Sequence, residues 1–298
     1  MILYIVKRMK FFRHIALFLI ITSACFSCSK VEPSASGQMM SVSYTISLID
    51  TKGVSADGGA INKVWYALYN TDGTLATNYA PVDFFDGSAG CEVVVMRGQS
   101  YKLVFVAQHY KGGSIPTYPI NAQSGTINIS DSPVANSDEY DLFYGSDDII
   151  AYNGTPTGSI ALDRVVAMVN FISSDEDWNS AVSNSTVPTH SSITLSGVAS
   201  QWNLLTGKAS GNHTDITFGK AAIPADKHIG AAYFFADGDI NATLNIYNSG
   251  DEGVSPMKTT SVYQVQVEQN KKTNIVGGII TGAANTTNTA ITHKNKLT

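Results

Sequence analysis

The stretch SVSYTISL, residues 41–48, alternates without a break. Val42, Tyr44, Ile46 and Leu48 fall on one side of an extended chain, and Ser41, Ser43, Thr45 and Ser47 fall on the other. A period of two fits a strand with one buried face and fits no helix. The same logic runs down the chain. KVWYALYNTDGTL reads as an aromatic strand entering a turn at Asn70–Gly73,. CEVVVMRGQSYKLVFVAQ reads as two apolar strands joined at Arg97-Gly98-Gln99, a predicted hairpin, and GTINIS as a further short strand,.

The centre, ANSDEYDLFYGSDDIIAYNGTPTGSIALD, is acidic and turn-rich and predicts a boundary near residue 150. SIALDRVVAMVNFIS then predicts a central strand covered on both faces, with Val165, Ala167, Val169 and Phe171 on one side and Val166 and Met168 on the other. Pattern alone leaves a buried helix open there. SSDEDWNSAVSN predicts a short helix capped by Ser173 or Ser174,. SSITLSG, QWNLLTGKASG, AAYFFAD and ATLNIYN follow, and then SVYQVQVEQNKKTNIVGGIIT, where Tyr263, Val265 and Val267 alternate with glutamines. Short strands with turns about every ten residues predict an all-β chain of sandwich type.

The start of the chain is different in kind. Lys10 and Arg13 precede an apolar run from Ile15 to Ile21, and small residues follow. That order is a signal peptide, and it reads naturally from Met9,. The run is too short for a helix spanning about 30 Å of hydrocarbon. Cys25 and Cys28 have C-x-x-C spacing, but no second Cys pair or His pair completes a zinc site,. A redox pair would need a folded βαβ context. A cysteine after a small residue at the end of an apolar run resembles a lipobox, where the thiol is acylated and the chain cut ahead of it. Both Ala24-Cys25 and Ser27-Cys28 suit, and SCSK, like the start of many mature lipoproteins, favours Cys28. Diacylglycerol on the thiol and a palmitate-type chain on the new amine suffice for stable anchoring.

Residues 1–27 are thus the expected lipoprotein signal peptide and 28–40 a polar linker. Residues 41–150 and 151–281 are the two expected β-sandwich domains, and 282–298, Thr/Asn-rich, a flexible tail. Beyond residue 27 the chain has 15 basic and 24 acidic side chains, net −9. An acidic chain with no basic run argues against nucleic acid as a partner. Cys91 is the one cysteine left besides an anchor at Cys28, and it reads as a small apolar core residue,.

No catalytic constellation emerges. His14, His109, His190, His213, His228 and His293 are scattered singly, and no nucleophile elbow or phosphate loop is present,. DGDIN (Asp237, Asp239, Asn241) copies the opening of a calcium loop but has Ala242 and Asn248 where Gly and Glu are needed,. SDEYD, GSDD and SDEDW read as solvated turns or an acidic first helical turn. No cofactor, metal or enzymatic activity is expected.

Several phrases together resemble the fimbrillin-like outer-membrane lipoproteins (the type V pilin superfamily) of gut and oral Gram-negative anaerobes. They are RGQSYKLVFVAQ, YDLFYGSDDI with IALDRVVAMVNF (a D-x-F segment and an L-x-R-x-x-A strand), ITLSGVASQWNLLTGKASG, and QVEQNKKTNIVGGIIT. The resemblance implies two tandem transthyretin-like Greek-key β-sandwich domains, export through the periplasm to the cell outer membrane, and assembly into fimbriae by β-strand complementation. It makes Val42, Tyr44, Ile46 and Leu48 candidates for a removed or exchanged strand. It also implies cutting after an arginine, yet no Arg lies between Cys28 and Arg97, and Lys52 is the nearest basic residue past that strand. An anchor or accessory subunit in adhesion therefore fits as well as a shaft subunit, with other fimbrial subunits as partners. The alternative is a tethered module that binds a host protein or glycan and does not polymerise. Trp178 and Tyr110, in polar contexts, are then the candidate platforms, whereas Trp65 and Trp202 read as core.

Overall fold

The computed structural model describes residues 37–49, 60–151, 157–223, 226–282 and 290–296. In chain order the strands begin with β1 (Met39–Leu48), β2 (Lys63–Asn70), β3 (Leu75–Asn78), β4 (Val82–Asp83), β5 (Ser88–Met96) and β6 (Ser100–Gln108). Short pieces follow: β7 (Tyr110–Lys111), β8 (Ile115–Pro116), β9 (Ile120–Asn121) and β10 (Thr126–Asn128). Then come β11 (Leu142–Ile150), β12 (Thr157–Arg164), β13 (Ala167–Ser173), β14 (His190–Asn203) and β15 (Lys208–Ala222). The last are β16 (His228–Phe234), β17 (Ile240–Tyr247), β18 (Lys258–Val265), β19 (Lys271–Gly277) and β20 (Ala290–Lys296). One α-helix, α1 (Asp175–Ser183), has Ser174 as its N-cap, within the segment and with one of the caps expected. The chain is all-β, as its period-two patterning predicts.

β3, β2, β6 and β11 form one layer, and β12, β1 and β5 another. β12 joins them: residues 157–162 pair with β1, and Asp163 and Arg164 pair with β11. Val42, Tyr44, Ile46, Val93 and Val95 meet Tyr66, Leu68, Leu103, Phe105 and Phe143 in one apolar core between these layers. β2 and β6 are buried on their reverse faces too. There Trp65, Tyr69, Val104 and Val106 pack with Tyr118, Met168, Trp202 and Phe235 in a second, aromatic core. A third core lies between the sheet β18-β17-β14-β10-β9, with β15 along β14, and the sheet β16-β13-β19-β20. Burying each such side chain stabilises by about 1.5–3 kcal/mol.

Several sequence expectations fail for identifiable reasons. Arg97-Gly98-Gln99 does not close a hairpin: β5 pairs with β1, whereas β6 pairs with β2 and β11. The turn, with Gly98 at φ 83°, carries the chain across the sandwich from one layer to the other. SIALDRVVAMVNFIS is not one strand. It breaks at Val165–Val166, so Val165 joins the aromatic core while Ala167, Val169 and Phe171 face the third core. In β18 a bulge with Gln264 at φ 53° shifts the register, and Val262 and Val265 are buried while Tyr263 is 71% exposed. The expected flexible tail contains β20, an edge strand held along β19 by backbone pairing that needs no apolar alternation. Around residue 150 the chain also crosses between groups of strands: β12 pairs back with β1 and β11, while β9 and β10 already belong with β14.

The break after β12 has a cause. Arg164, fully buried, donates Nε to Asp141 Oδ1 at 2.7 Å and an η nitrogen to Oδ2 at 2.8 Å, and its guanidinium lies 4.8 Å from the centre of the Phe143 ring. The Val165 amide donates to the Leu142 carbonyl. Burial pushes the Asp141 carboxyl above its usual range, and the guanidinium opposes that rise. Removing one partner of such a pair strands a charge in the interior. Arg164→Met is expected to cost about 3–5 kcal/mol, and Arg164→Met with Asp141→Leu to cost much less. Urea unfolding of the three chains checks this; a double variant no more stable than the single one would contradict it.

Candidate functional site

β1 follows immediately on residues 37 and 38, yet it is an interior strand of its sheet. Residues 43–48 run parallel to β12, from Ser43 opposite Thr157 to Leu48 opposite Leu162. Residues 39–47 run antiparallel to β5, from Met39 opposite Met96 to Ser47 opposite Ser88. The serine and threonine side points outward, while Val42, Tyr44 and Ile46 are 2%, 5% and 0% exposed in the core. Leu48 packs against the same core half-buried. The structure thus gathers all four candidate residues in one row. Cys25, Cys28 and Lys52 lie outside the described residues.

Tyr44 occupies the centre of that row, and its neighbours are shaped to it. Its register partners are Gly158 on β12 and Cys91 on β5. A Cβ built on Gly158 would lie 2.3 Å from Tyr44 Cε1, so the ring lies flat across the glycine. The ring tilts onto Phe105 of the opposite layer, with centroids 5.4 Å apart. Beyond β12 its hydroxyl donates to Asp147 Oδ2 of β11 at 2.7 Å. Burial first, and then the Asp147 carboxylate, hold the phenol above its ordinary pKa, so it remains a donor. Burial likewise pushes the Cys91 thiol up to about 12, which fits the apolar role read for it and not a nucleophile,.

β5 is the outer edge of this layer, and near its end a side chain caps it. The Val94 amide donates to the Tyr79 hydroxyl at 3.1 Å, and that hydroxyl donates to the Val94 carbonyl at 3.4 Å. The Tyr79 ring stacks on Tyr66 at 4.7 Å. Sequence reasoning missed Asp147, Gly158 and Tyr79. Gly158 was legible in principle, because a glycine inside a strand marks close approach of another group. It stood in a stretch that reads as a turn, and a parallel partner some 110 residues away leaves no local signal,.

The far end of the chain is clamped by Asp177. Its carboxylate accepts the Ile280 amide at 2.8 Å, the Thr281 amide at 2.6 Å, the Thr281 hydroxyl at 2.7 Å and the Ser173 hydroxyl at 2.8 Å. Lys258 Nζ donates to the Gly278 and Gly282 carbonyls. Burial raises the Asp177 pKa, but these donors together outweigh it and hold the carboxyl below its usual value. A depressed carboxylate contributes stability above the unfolded pKa of about 4 and loses it as pH falls through the folded value. The Ile280 and Thr281 amide resonances are therefore expected to hold position from neutrality to about pH 4 and to move below it, and Asp177→Asn to move them at every pH. Unchanged resonances in that variant would contradict the clamp.

The aromatic residues considered as sugar platforms are not displayed. Tyr110 is buried and Trp178 packs half-buried against the third core, as Trp65 and Trp202 pack in theirs. Phe85, 82% exposed, and Tyr263 are the aromatic side chains that stand out from the described surface. Among the described residues no three His, Cys, Asp or Glu side chains gather as metal ligands, and no helix is long and apolar enough to cross a membrane.

The row on β1 sets a measurable expectation. Ile46→Ala removes buried methylenes between packed layers and is expected to cost about 2–5 kcal/mol. Thr45→Ala, on the outward side, is expected to stay within about 0.5 kcal/mol. Equal losses in thermal unfolding would mean that the core does not depend on the inward row.

No curated protein matches the chain. Among solved structures it is similar to a fimbrial assembly protein from Parabacteroides distasonis, at 13% identity over 80% of this chain and 90% of that one, with a TM-score of 0.42. It is similar to candidate polysaccharide-binding proteins (DUF1812) from Bacteroides thetaiotaomicron, at 10% identity over 80% and 91%, with a TM-score of 0.49. It is also similar to a candidate cell adhesion protein from Bacteroides uniformis, at 11% identity over 80% and 91%, with a TM-score of 0.45. The model of a family of unknown function, DUF6562, matches residues 38–295, and the chain belongs to that family.

Proposed function

We propose that this chain is a fimbrillin-like surface lipoprotein that works in adhesion by strand complementation, without catalysis, as an anchor or accessory subunit of a fimbria. The observation that carries the reading is the position of β1. The first described strand of the chain lies between two partners, and its inward row fills the core. Withdrawing such a strand opens a slot with unpaired backbone groups on both walls and an apolar floor. Backbone hydrogen bonds then supply affinity for an incoming strand, and alternate side chains supply selectivity.

In this reading the acyl chains on Cys28, or on Cys25, hold the protein to the outer membrane, with the linker spacing the fold from the lipid. The low charge of the chain, 14% Asp, Glu, Lys and Arg, suits contact through backbone and apolar groups better than electrostatic docking,. The interior place of β1 favours this reading over a glycan-binding module, since of the aromatic side chains suggested for sugar contact Tyr110 is buried and Trp178 half-buried.

Two measurements test it. The variant Cys25→Ala/Cys28→Ala is expected to leave the membrane fraction, and its retention there would sink the lipid anchor. On an unheated SDS gel of surface material, a ladder containing this chain is expected, collapsing to monomer on boiling. A single full-length lipidated band under both conditions would sink polymerisation of this chain and leave an uncleaved anchor or the binding module.

A further inference from the structure

The slot of β1 is not uniform along its length. Opposite Ile46 and Leu48, β12 offers Ile160 and Leu162, and opposite Val42, β5 offers Val93. These are ordinary apolar pairs that a range of side chains could satisfy. At Tyr44 both neighbours shrink, to Gly158 on one side and Cys91 on the other. The space so made is flat and runs across β12 to a carboxylate. Leucine or valine would leave the glycine uncovered and the core underfilled. Phenylalanine would fill the space but lose the hydrogen bond to Asp147.

We propose that Gly158, Cys91, Phe105 and Asp147 form a tyrosine-selective socket in the β1 slot, so that a strand entering the slot comes from a partner polypeptide carrying tyrosine at the central inward position between apolar neighbours. This rests on the strand-complementation reading above. It narrows the partner sharply. Residues 282–298 of this chain contain no Phe, Trp or Tyr, and their apolar residues do not alternate. Residues 282–298 of a second copy therefore lack the side chain the socket takes, whereas its residues 39–48 carry it at Tyr44.

The test uses the full chain with one protease recognition sequence placed within residues 50–59 and cut, so that β1 stays seated but is no longer covalently held. Fluorescent peptides of residues 39–48, their Tyr44→Phe and Tyr44→Leu versions, and a peptide of residues 283–298 are offered in turn. Anisotropy reads uptake, and mass spectrometry reads release of the original strand. The tyrosine peptide is expected to enter, the phenylalanine version about tenfold more weakly, the leucine version more weakly still, and the tail peptide not at all. In the nicked Asp147→Ala protein, altered at an exposed position, the preference for tyrosine over phenylalanine is expected to vanish. In Gly158→Ala the leucine version is expected to overtake tyrosine. Uptake of the three strand peptides within about threefold of one another would overturn the socket and leave strand replacement standing. Uptake of none, with the original strand retained, would overturn strand replacement and the socket together.

Discussion

The buried Arg164–Asp141 pair is the constraint around which the other strands arrange themselves. A guanidinium with no exposed surface is costly unless its donors are met, and a carboxylate and an aromatic face are among the groups that meet them here,. Because Asp141 precedes β11 and Arg164 ends β12, the pair fixes where those two strands touch. Past that point they diverge, and Ile160 and Leu162 lean over Gly145 in the gap. Immediately after Arg164 the chain turns into the aromatic core, and β13 begins in a different sheet. One ion pair thus sets the position of the corner at which two groups of strands meet.

That corner makes the place that β1 fills. β12 is free to pair in parallel with β1 only because its end, not its length, is committed to β11. Tyr44 then crosses β12 at Gly158 and ties β1 to Asp147, the part of β11 that β12 leaves uncovered. On the other side β5 closes the layer, and Tyr79 occupies the backbone groups of Val94 on its free edge. An exposed edge strand invites pairing with other chains, and a side chain that caps it discourages that. The molecule therefore caps part of its outer edge while its first described strand lies in the interior of the layer.

Much of this could be read from the residues, within limits that have physical causes. Period-two stretches gave the strand class, and SVSYTISL gave the inward row Val42, Tyr44, Ile46 and Leu48 correctly. Ser174 at the helix start was legible because capping is a local interaction. What failed was pairing. A turn residue such as Gly98 reports that the chain reverses, not whether the next strand lies alongside or across the core. β11 and β15 give no clear period-two signal because Asp147, Asp148, His213 and Asp215 are solvated, and backbone bonds to β6 and β14 hold those strands without a continuous apolar row. The motifs holding Asp141 and Arg164 stand as separate phrases in the sequence, and their meeting is a fact of topology.

The placement of β1 also bears on force. Backbone hydrogen bonds in a sheet lie roughly across the strand axis. A pull on the chain ahead of Met39, directed along that axis, loads the bonds to β5 and β12 together instead of opening them one at a time. Tyr44 adds a peg, since its ring would have to slide off Gly158 and its hydroxyl leave Asp147 before the strand could move by a residue. A fold whose first described strand is held between two partners is in this way built to resist traction applied ahead of Met39.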